Sequence, residues 1–150
     1  MTAEPILYTV GHGSRSVQEL IELLQPHGIT VLVDVRSHPA SRHNPDASED
    51  RLRTALAAAG ISYHWAGRQL GGLRQPGPHS VHASLTGNMQ GFADYMATPE
   101  FARAAIQLKN MMVKFPTAIL CAEVQPEQCH RSLISDYFLL MEPVLFTWWH

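Results

Sequence analysis

The sequence contains only two cysteines, Cys121 and Cys129, and has no long run of apolar residues. Two thiols are too few for a disulfide scaffold in a chain of 150 residues. No segment approaches the ~18 consecutive apolar residues of a membrane-spanning helix, and the opening MTAEPILYTV lacks the basic and apolar regions of a signal peptide. We therefore expect a cytoplasmic protein with reduced thiols and no membrane partner.

The excess of negative over positive charge is also small. The formal net charge is −2 at pH 7, and charged residues make up 16% of the chain. A chain without excess positive charge is not expected to bind nucleic acid strongly and non-specifically. A nucleic-acid partner is therefore an alternative that the net charge does not favour, and any anion has to be bound by local clusters of arginines.

Short apolar runs alternate with helical patterns along the whole chain. Five apolar runs predict strands at 6–10, 30–35, 61–65, 117–122 and 144–149, and the intervening patterns predict helices over 17–25, from Ser48 to a stop at Gly60, over 88–96, from Pro99, and over 127–141. The glycine- and proline-rich segment 67–87 is expected to be a long loop. The order predicts a single α/β domain over residues 1–150, a Rossmann-like three-layer sandwich with a mainly parallel sheet of about five strands.

Unusual polar residues follow three of the predicted strands. In open parallel sheets, ligands bind in the crevice beyond the carboxyl ends of the strands, so these three segments are expected to meet at one edge. The segments are Gly11, His12, Gly13 and Ser14; Asp34, Arg36, Ser37, Arg42 and Asn44; and Glu123, Cys129, His130 and Arg131.

These residue types favour a site for an anionic ligand, either phosphate-bearing or nucleotide-like. Guanidinium groups bind phosphate and carboxylate in a two-pronged geometry, which predicts an anion clamp made of Arg36, Arg42 and Arg131. The backbone and side chains of Gly11, Gly13, Ser14 and Ser37 complete the predicted anion-binding set.

Four residues are candidates for the chemistry itself. His12 or His130 can serve as a general acid or base, and Cys129 or Glu123 as a nucleophile or base. Cys129 is predicted to lie in the first turn of a helix, where the positive end of the helix dipole lowers the pKa of a thiol.

Two further residues are expected to support this site. Asp34 lies within an apolar strand, where an unpaired carboxylate is costly, so it is expected to pair with Arg36 or a loop amide, or else to act at the site. Asn44 is assigned an orienting role. The sequence indicates no metal site and no particular cofactor.

Spacing excludes three common templates. The glycine pattern after the first strand has Ser16 where a dinucleotide fingerprint has its third glycine. A cysteine phosphatase loop has an arginine six positions after its cysteine, where this chain has Glu127 after Cys121. Structural zinc sites use thiols about two to four residues apart, whereas Cys121 and Cys129 are eight apart. Cys121, at the end of an apolar strand, is expected to be buried and inert.

Five ordered segments resemble the signatures of the family called domain of unknown function 488. They are YTVGHGSRS, VLVDVRSHPASRHNP, Leu70-Gly71-Gly72, GFADYMATPEF and CAEVQPEQCHRSLI. The resemblance implies a Rossmann-like α/β domain and carries no generally established reaction. Family members often have Gly-His-Ser in the first segment, where this chain has Gly13, so an essential hydroxyl would have to come from Ser14.

Three functions are therefore weighed. The first is an enzyme that binds an anionic ligand at the carboxyl edge of the sheet. The second is a non-catalytic domain that binds nucleic acid or another ligand with the same arginines. The third is a cysteine-based sulfurtransferase or redox protein using Cys129, since VDVR at 33–36 resembles a short segment of rhodaneses.

Overall fold

The computed structural model describes residues 6–39, 44–72, 74, 80, 87–121, 133, 134, 137 and 145–149. Five strands form one sheet: β1 (Ile6–Gly11), β2 (Val31–Asp34), β3 (Ser62–Trp65), β4 (Thr117–Cys121) and β5 (Leu145–Trp149). Their spatial order is β3-β2-β4-β1-β5, and every neighbouring pair is parallel. The predicted α/β fold with a parallel sheet is confirmed.

Between β1 and β4, the described residues form five helices: α1 (Val17–Leu24), α2 (Glu49–Ala58), α3 (Gly67–Leu70), α4 (Gly87–Tyr95) and α5 (Pro99–Lys114). Single turns of 3₁₀ helix lie at Gln25–His27 and Pro45–Ala47. The start of α1 is fixed by a capping box, in which the Ser16 hydroxyl accepts from the Glu19 amide and the Glu19 carboxylate accepts from the Ser16 amide. The Thr98 hydroxyl caps α5 by accepting from the Phe101 amide.

Helix α3 corrects the expectation that a continuous loop begins at residue 67. Its four residues make a single turn, which is too short to show helical periodicity in a sequence. The predicted helix over 127–141 lies mostly outside the described residues, apart from Leu133, Ile134 and Tyr137.

Apolar side chains are buried on both faces of the sheet. On one face, Leu20 and Leu24 of α1 and Leu52 and Leu56 of α2 pack against strand residues that include Leu32. On the other face, α4, α5 and the described residues near 133–137 pack against a second set of strand side chains, namely Leu7, Val31, Val33, Ile119 and Cys121. Helices therefore cover both faces of the sheet, which gives the predicted three layers.

The strand order places a change in the direction of the connections at the carboxyl end of β4. Strand β4 lies between β1 and β2, and the chain leaves β1 and β2 for helices on the same face, α1 and α2. The described residues that follow β4, including Ile134, pack on the opposite face. Where neighbouring strands send their connections to opposite faces, the loops separate and a ligand site can form. None of the described helices is long and apolar enough to cross a membrane.

Candidate active site

The frame of the candidate site is set by hydrogen bonds at the end of β4. The amide of His12 donates to the carbonyl of Cys121 at 2.8 Å, and the amide of Val35 donates to the carbonyl of Leu120 at 2.9 Å. Neighbouring strands lie about 4.8 Å apart, so the segments after β1 and β2 are about 10 Å apart. The structure thus brings together the first two of the three predicted segments on either side of β4.

Asp34 and Arg36 form a buried, two-pronged ion pair. The Arg36 Nε donates to Asp34 Oδ1 at 2.9 Å, and Nη2 donates to Oδ2 at 2.7 Å. The Arg36 amide also donates to Oδ1, at 3.0 Å. The exposed fractions of the two side chains are 6% for Arg36 and 0% for Asp34. A buried charge is tolerated only when it is paired and hydrogen-bonded. Asp34 and Arg36 therefore each compensate the cost of burying the other.

The ion pair keeps Arg36 charged although it is buried. Burial acts to lower the pKa of the guanidinium, but the hydrogen bonds and negative charge of Asp34 outweigh it, so the pKa is raised above its ordinary value. The two nitrogens Nε and Nη2 are both used on Asp34, so the expected Asp34–Arg36 pair forms. Nη1 is the guanidinium nitrogen with no hydrogen-bond partner among the described residues.

Two aromatic residues of β3 hold this pair, and sequence reasoning did not find either. The Tyr63 hydroxyl donates to Asp34 Oδ2, and the Trp65 Nε1 donates to the carbonyl of Arg36 at 2.8 Å. Burial, and then the hydrogen bond to Asp34, raise the pKa of Tyr63 far above its ordinary value. Tyr63 is therefore a neutral hydrogen-bond donor across the physiological pH range.

His12 lies just beyond β1 and is buried, with an exposed fraction of 4%. Its Nδ1 lies 2.9 Å from the carbonyl oxygen of Gly13. A carbonyl oxygen only accepts hydrogen bonds, so Nδ1 carries the hydrogen, and Nε2 of the neutral ring has a free lone pair. Nε2 has no hydrogen-bond partner among the described residues.

Burial is the main reason why the pKa of His12 is lowered from 6.5. The hydrogen bond to Gly13 opposes this effect, the charge of Arg36 adds to it, and the charge of Asp34 opposes it. These charge effects place His12 and the Asp34–Arg36 pair within electrostatic reach of one another. The imidazole is consequently neutral at pH 7 and can accept a proton at Nε2.

Asn44 ties the loop after β2 to the loop after β1. Its Nδ2 donates to the carbonyls of Gly13 at 3.1 Å and Arg15 at 2.6 Å. Gly13 has a φ of 49°, a conformation that residues with a side chain adopt rarely. The Gly13 carbonyl thus accepts hydrogen bonds from both His12 and Asn44. The position of the imidazole therefore depends on the turn at Gly13.

The remaining predicted residues divide into two groups. Gly11 is buried at the end of β1, Ser14 is exposed, and Ser37 is half-buried beside Gly71, where any side chain would meet the Ser37 hydroxyl. Cys121 is buried, with an exposed fraction of 3%. Five predicted site residues lie outside the described part of the chain: Arg42, Glu123, Cys129, His130 and Arg131.

The described side chains do not form a metal-binding group. Among them, no group of three or more histidine, cysteine, aspartate or glutamate residues could hold a metal ion. Of the three buried side-chain atoms without a hydrogen-bond partner in the described part, Thr9 Oγ1, His12 Nε2 and Arg36 Nη1, two belong to this site. Because buried polar atoms in proteins are generally paired, this concentration distinguishes the site from the rest of the sheet edge.

Comparison with known proteins yields a single family. Neither the curated proteins nor the solved structures compared with the chain include a significant match. The sequence model of the family described as "Domain of unknown function DUF488" matches residues 16–138. The match includes the Asp34–Arg36 pair and Tyr63 and begins just after the His12 turn. Since it spans most of the chain, this protein belongs to the DUF488 family.

Proposed function

We propose that this protein is an enzyme that uses general acid–base catalysis on a phosphate-bearing substrate in the crevice above β4. The observation that carries the proposal is the pair of unsatisfied buried atoms, His12 Nε2 and Arg36 Nη1, near the carboxyl ends of β1 and β2. One atom accepts a proton and the other donates hydrogen bonds, which are the two functions that acid–base catalysis at a phosphoryl group requires.

His12 would act as the general base. Its Nε2 would take the proton of a water or substrate hydroxyl group while that oxygen forms a bond to phosphorus. The bond between phosphorus and the leaving oxygen breaks, and the imidazolium returns the proton to that oxygen. The lowered pKa of His12 supports this role, because the free base is then the dominant form at neutral pH.

Arg36 would hold a phosphoryl oxygen through Nη1. Since Asp34 balances its charge, Arg36 alone does not neutralise a phosphate dianion. We propose that Arg42 and Arg131 supply the remaining positive charge, as the sequence predicts. Roles for Glu123, Cys129 and His130, the nucleic-acid alternative, the sulfurtransferase alternative and a cytoplasmic location all stay predictions.

A hydrolysis assay with matched variants tests this function. Purified protein is incubated with p-nitrophenyl phosphate, bis(p-nitrophenyl) phosphate and nucleoside monophosphates, and release of product is measured. We expect turnover of at least one ester, a loss of about 10²- to 10⁴-fold in kcat for His12→Asn, and an unchanged rate for His27→Asn, whose ring is exposed and contacts Tyr8.

Two results would contradict the proposal. One is the absence of turnover together with an unchanged melting temperature in inorganic phosphate, pyrophosphate and each nucleotide. The other is an equal rate for wild type and His12→Asn, which would show that another residue performs the chemistry.

A further inference from the structure

A cavity at the carboxyl end of β3 adjoins the site described above and shares Trp65 with it. Its volume is about 160 Å³, and it lies between β3, α3 and α5. Its inner wall is apolar and is formed by Val33, Leu70, Ala104 and Leu108. For comparison, an engineered apolar cavity of about 150 Å³ binds a benzene ring. The cavity is therefore large enough for a flat ring.

The mouth of the cavity carries hydrogen-bonding side chains. Gln69 of α3 and Gln107 of α5 line it from two sides, together with His64 of β3. A carboxamide both donates and accepts, as the edge of a nitrogen heterocycle does. No lysine, arginine, aspartate or glutamate is among the described lining residues. This chemistry suits an uncharged ring with donors and acceptors on its edge.

Trp65 provides a fixed aromatic wall. Its side chain is 37% exposed, which is unusual for so large an apolar group, and it lines the cavity. The indole is held in place on its nitrogen side, where Nε1 donates to the Arg36 carbonyl and Gly67 packs so closely that any side chain there would overlap it. An exposed aromatic ring that is already immobilised can stack on a ligand without a further loss of conformational freedom.

We propose that this cavity binds an uncharged, planar nitrogen heterocycle of the nucleobase type, stacked on Trp65 and hydrogen-bonded by Gln69 and Gln107. The cavity and the proposed catalytic site share Trp65, whose ring lines one and whose Nε1 fixes the backbone of Arg36 in the other. Together with the proposed function, on which this step rests, the ring site predicts that the substrate is a nucleoside phosphate. Its ring would lie at Trp65 and its phosphate at Arg36.

Binding of adenosine, which has the ring and no phosphate, isolates the proposed ring site. Calorimetric titrations use adenosine, cytidine and inorganic phosphate, with wild type and the variants Gln69→Ala and Gln107→Ala. The control is Gln18→Ala, an exposed glutamine of α1 on the other face of the sheet. We expect adenosine to bind, each cavity variant to weaken it about fivefold, the effect of one hydrogen bond, and Gln18→Ala to bind as wild type does.

The phosphate titration separates this inference from the proposed function. Both cavity variants should bind inorganic phosphate as the wild type does, since neither glutamine belongs to the Asp34–Arg36 site. Absence of adenosine and cytidine binding at millimolar concentration, or equal affinity in wild type and both variants, would overturn the ring site. If a phosphate ester is still hydrolysed in that case, the proposed function stands without it. If adenosine binds, no ester is turned over and neither phosphate, pyrophosphate nor any nucleotide changes the melting temperature, the catalytic proposal fails and the ring site remains.

Discussion

The imidazole of His12 stays neutral at pH values where an exposed histidine already carries a proton. Burial is the main cause, and the nearby charge of Arg36 adds to it. A general base works only when it is unprotonated, so kcat/KM of the proposed reaction should rise with pH along a limb whose midpoint lies below 6.5 and then level off. Rates measured from acidic to neutral pH on a hydrolysed ester check this, and a midpoint above 6.5 would contradict it.

The hydroxyl of Tyr63 contributes to stability through Asp34. In Tyr63→Phe the ring stays and the hydrogen bond to the buried carboxylate is lost, so we expect a loss of about 1.5–3 kcal/mol in the free energy of unfolding. Urea denaturation of wild type, Tyr63→Phe, Asp34→Asn and the double variant measures the coupling between the two groups. If removal of the hydroxyl costs the same with Asp34 and with Asn at that position, the bond is not the source of the effect.

At the residue scale, one partner of Asp34 could be predicted from the sequence and the other could not. The cost of an unpaired carboxylate in an apolar strand makes a pair with Arg36 an expected solution, since the two residues are neighbours in the chain. Tyr63 lies 29 positions from Asp34, and their contact depends on β3 lying beside β2. A tyrosine in the middle of a predicted strand is the available signal, and it gains meaning only when the strand order is known.

Helix α3 is held against the loop after β2 by a glycine. A Cβ atom at Gly67 would overlap the carbonyl of Arg36 and the indole nitrogen of Trp65. Gly67→Ala should therefore push α3 away and cost about 1–3 kcal/mol of unfolding free energy. Arg68→Ala, an exposed position in the same helix, is the matched control, and urea denaturation of both variants is the measurement. Equal stability of Gly67→Ala and wild type would show that the loop adjusts freely.

At the scale of elements, local signals predicted α1 and α5 well and α3 not at all. The capping residues Ser16 and Thr98 and the apolar stripes mark long helices in the sequence, because each helix has several turns in which the pattern repeats. A single turn such as α3 has no repeat. Its existence depends on Gly67 fitting against Trp65 and Arg36, which are contacts between elements and not a property of the segment.

At the scale of the whole molecule, the sheet unites two cores that lie on opposite faces. Leu56 of α2 belongs to one core and Phe101 of α5 to the other, and each is fully buried. Because both cores pack on the same three strands, β1, β2 and β4, Leu56→Ala and Phe101→Ala should each lower the unfolding free energy by about 2–5 kcal/mol while unfolding stays a single transition. Ile106→Ala, at a position of α5 that is 60% exposed, should change little.

Circular dichroism in the far and near ultraviolet during urea denaturation tests whether the two cores unfold together. Coincident curves for wild type and both core variants are expected. Separate transitions in Phe101→Ala, with helical signal lost first, would show that the two faces are independent.

The fold class followed from the sequence because buried parallel strands are continuous apolar runs, and helices between them imply crossover connections. The strand order did not follow, since the insertion of β4 between β1 and β2 is a pairing between distant parts of the chain. The candidate site shows the same limit. Sequence reasoning placed His12 and Arg36 at one sheet edge and named both Asp34 and an anion as partners of Arg36, but it did not show which guanidinium nitrogens Asp34 uses.

Among the described strands, β3 lies at the edge of the sheet and is hydrogen-bonded to β2. Edge elements exchange their amide hydrogens through local opening that requires less free energy than unfolding of the whole domain. Opening of β3 would withdraw Tyr63 from Asp34 and Trp65 from Arg36 in one event. The lifetime of an ordered Arg36 then depends on how often a strand at the border of the sheet detaches, and each such event also removes Tyr63 from the core on the α1–α2 face.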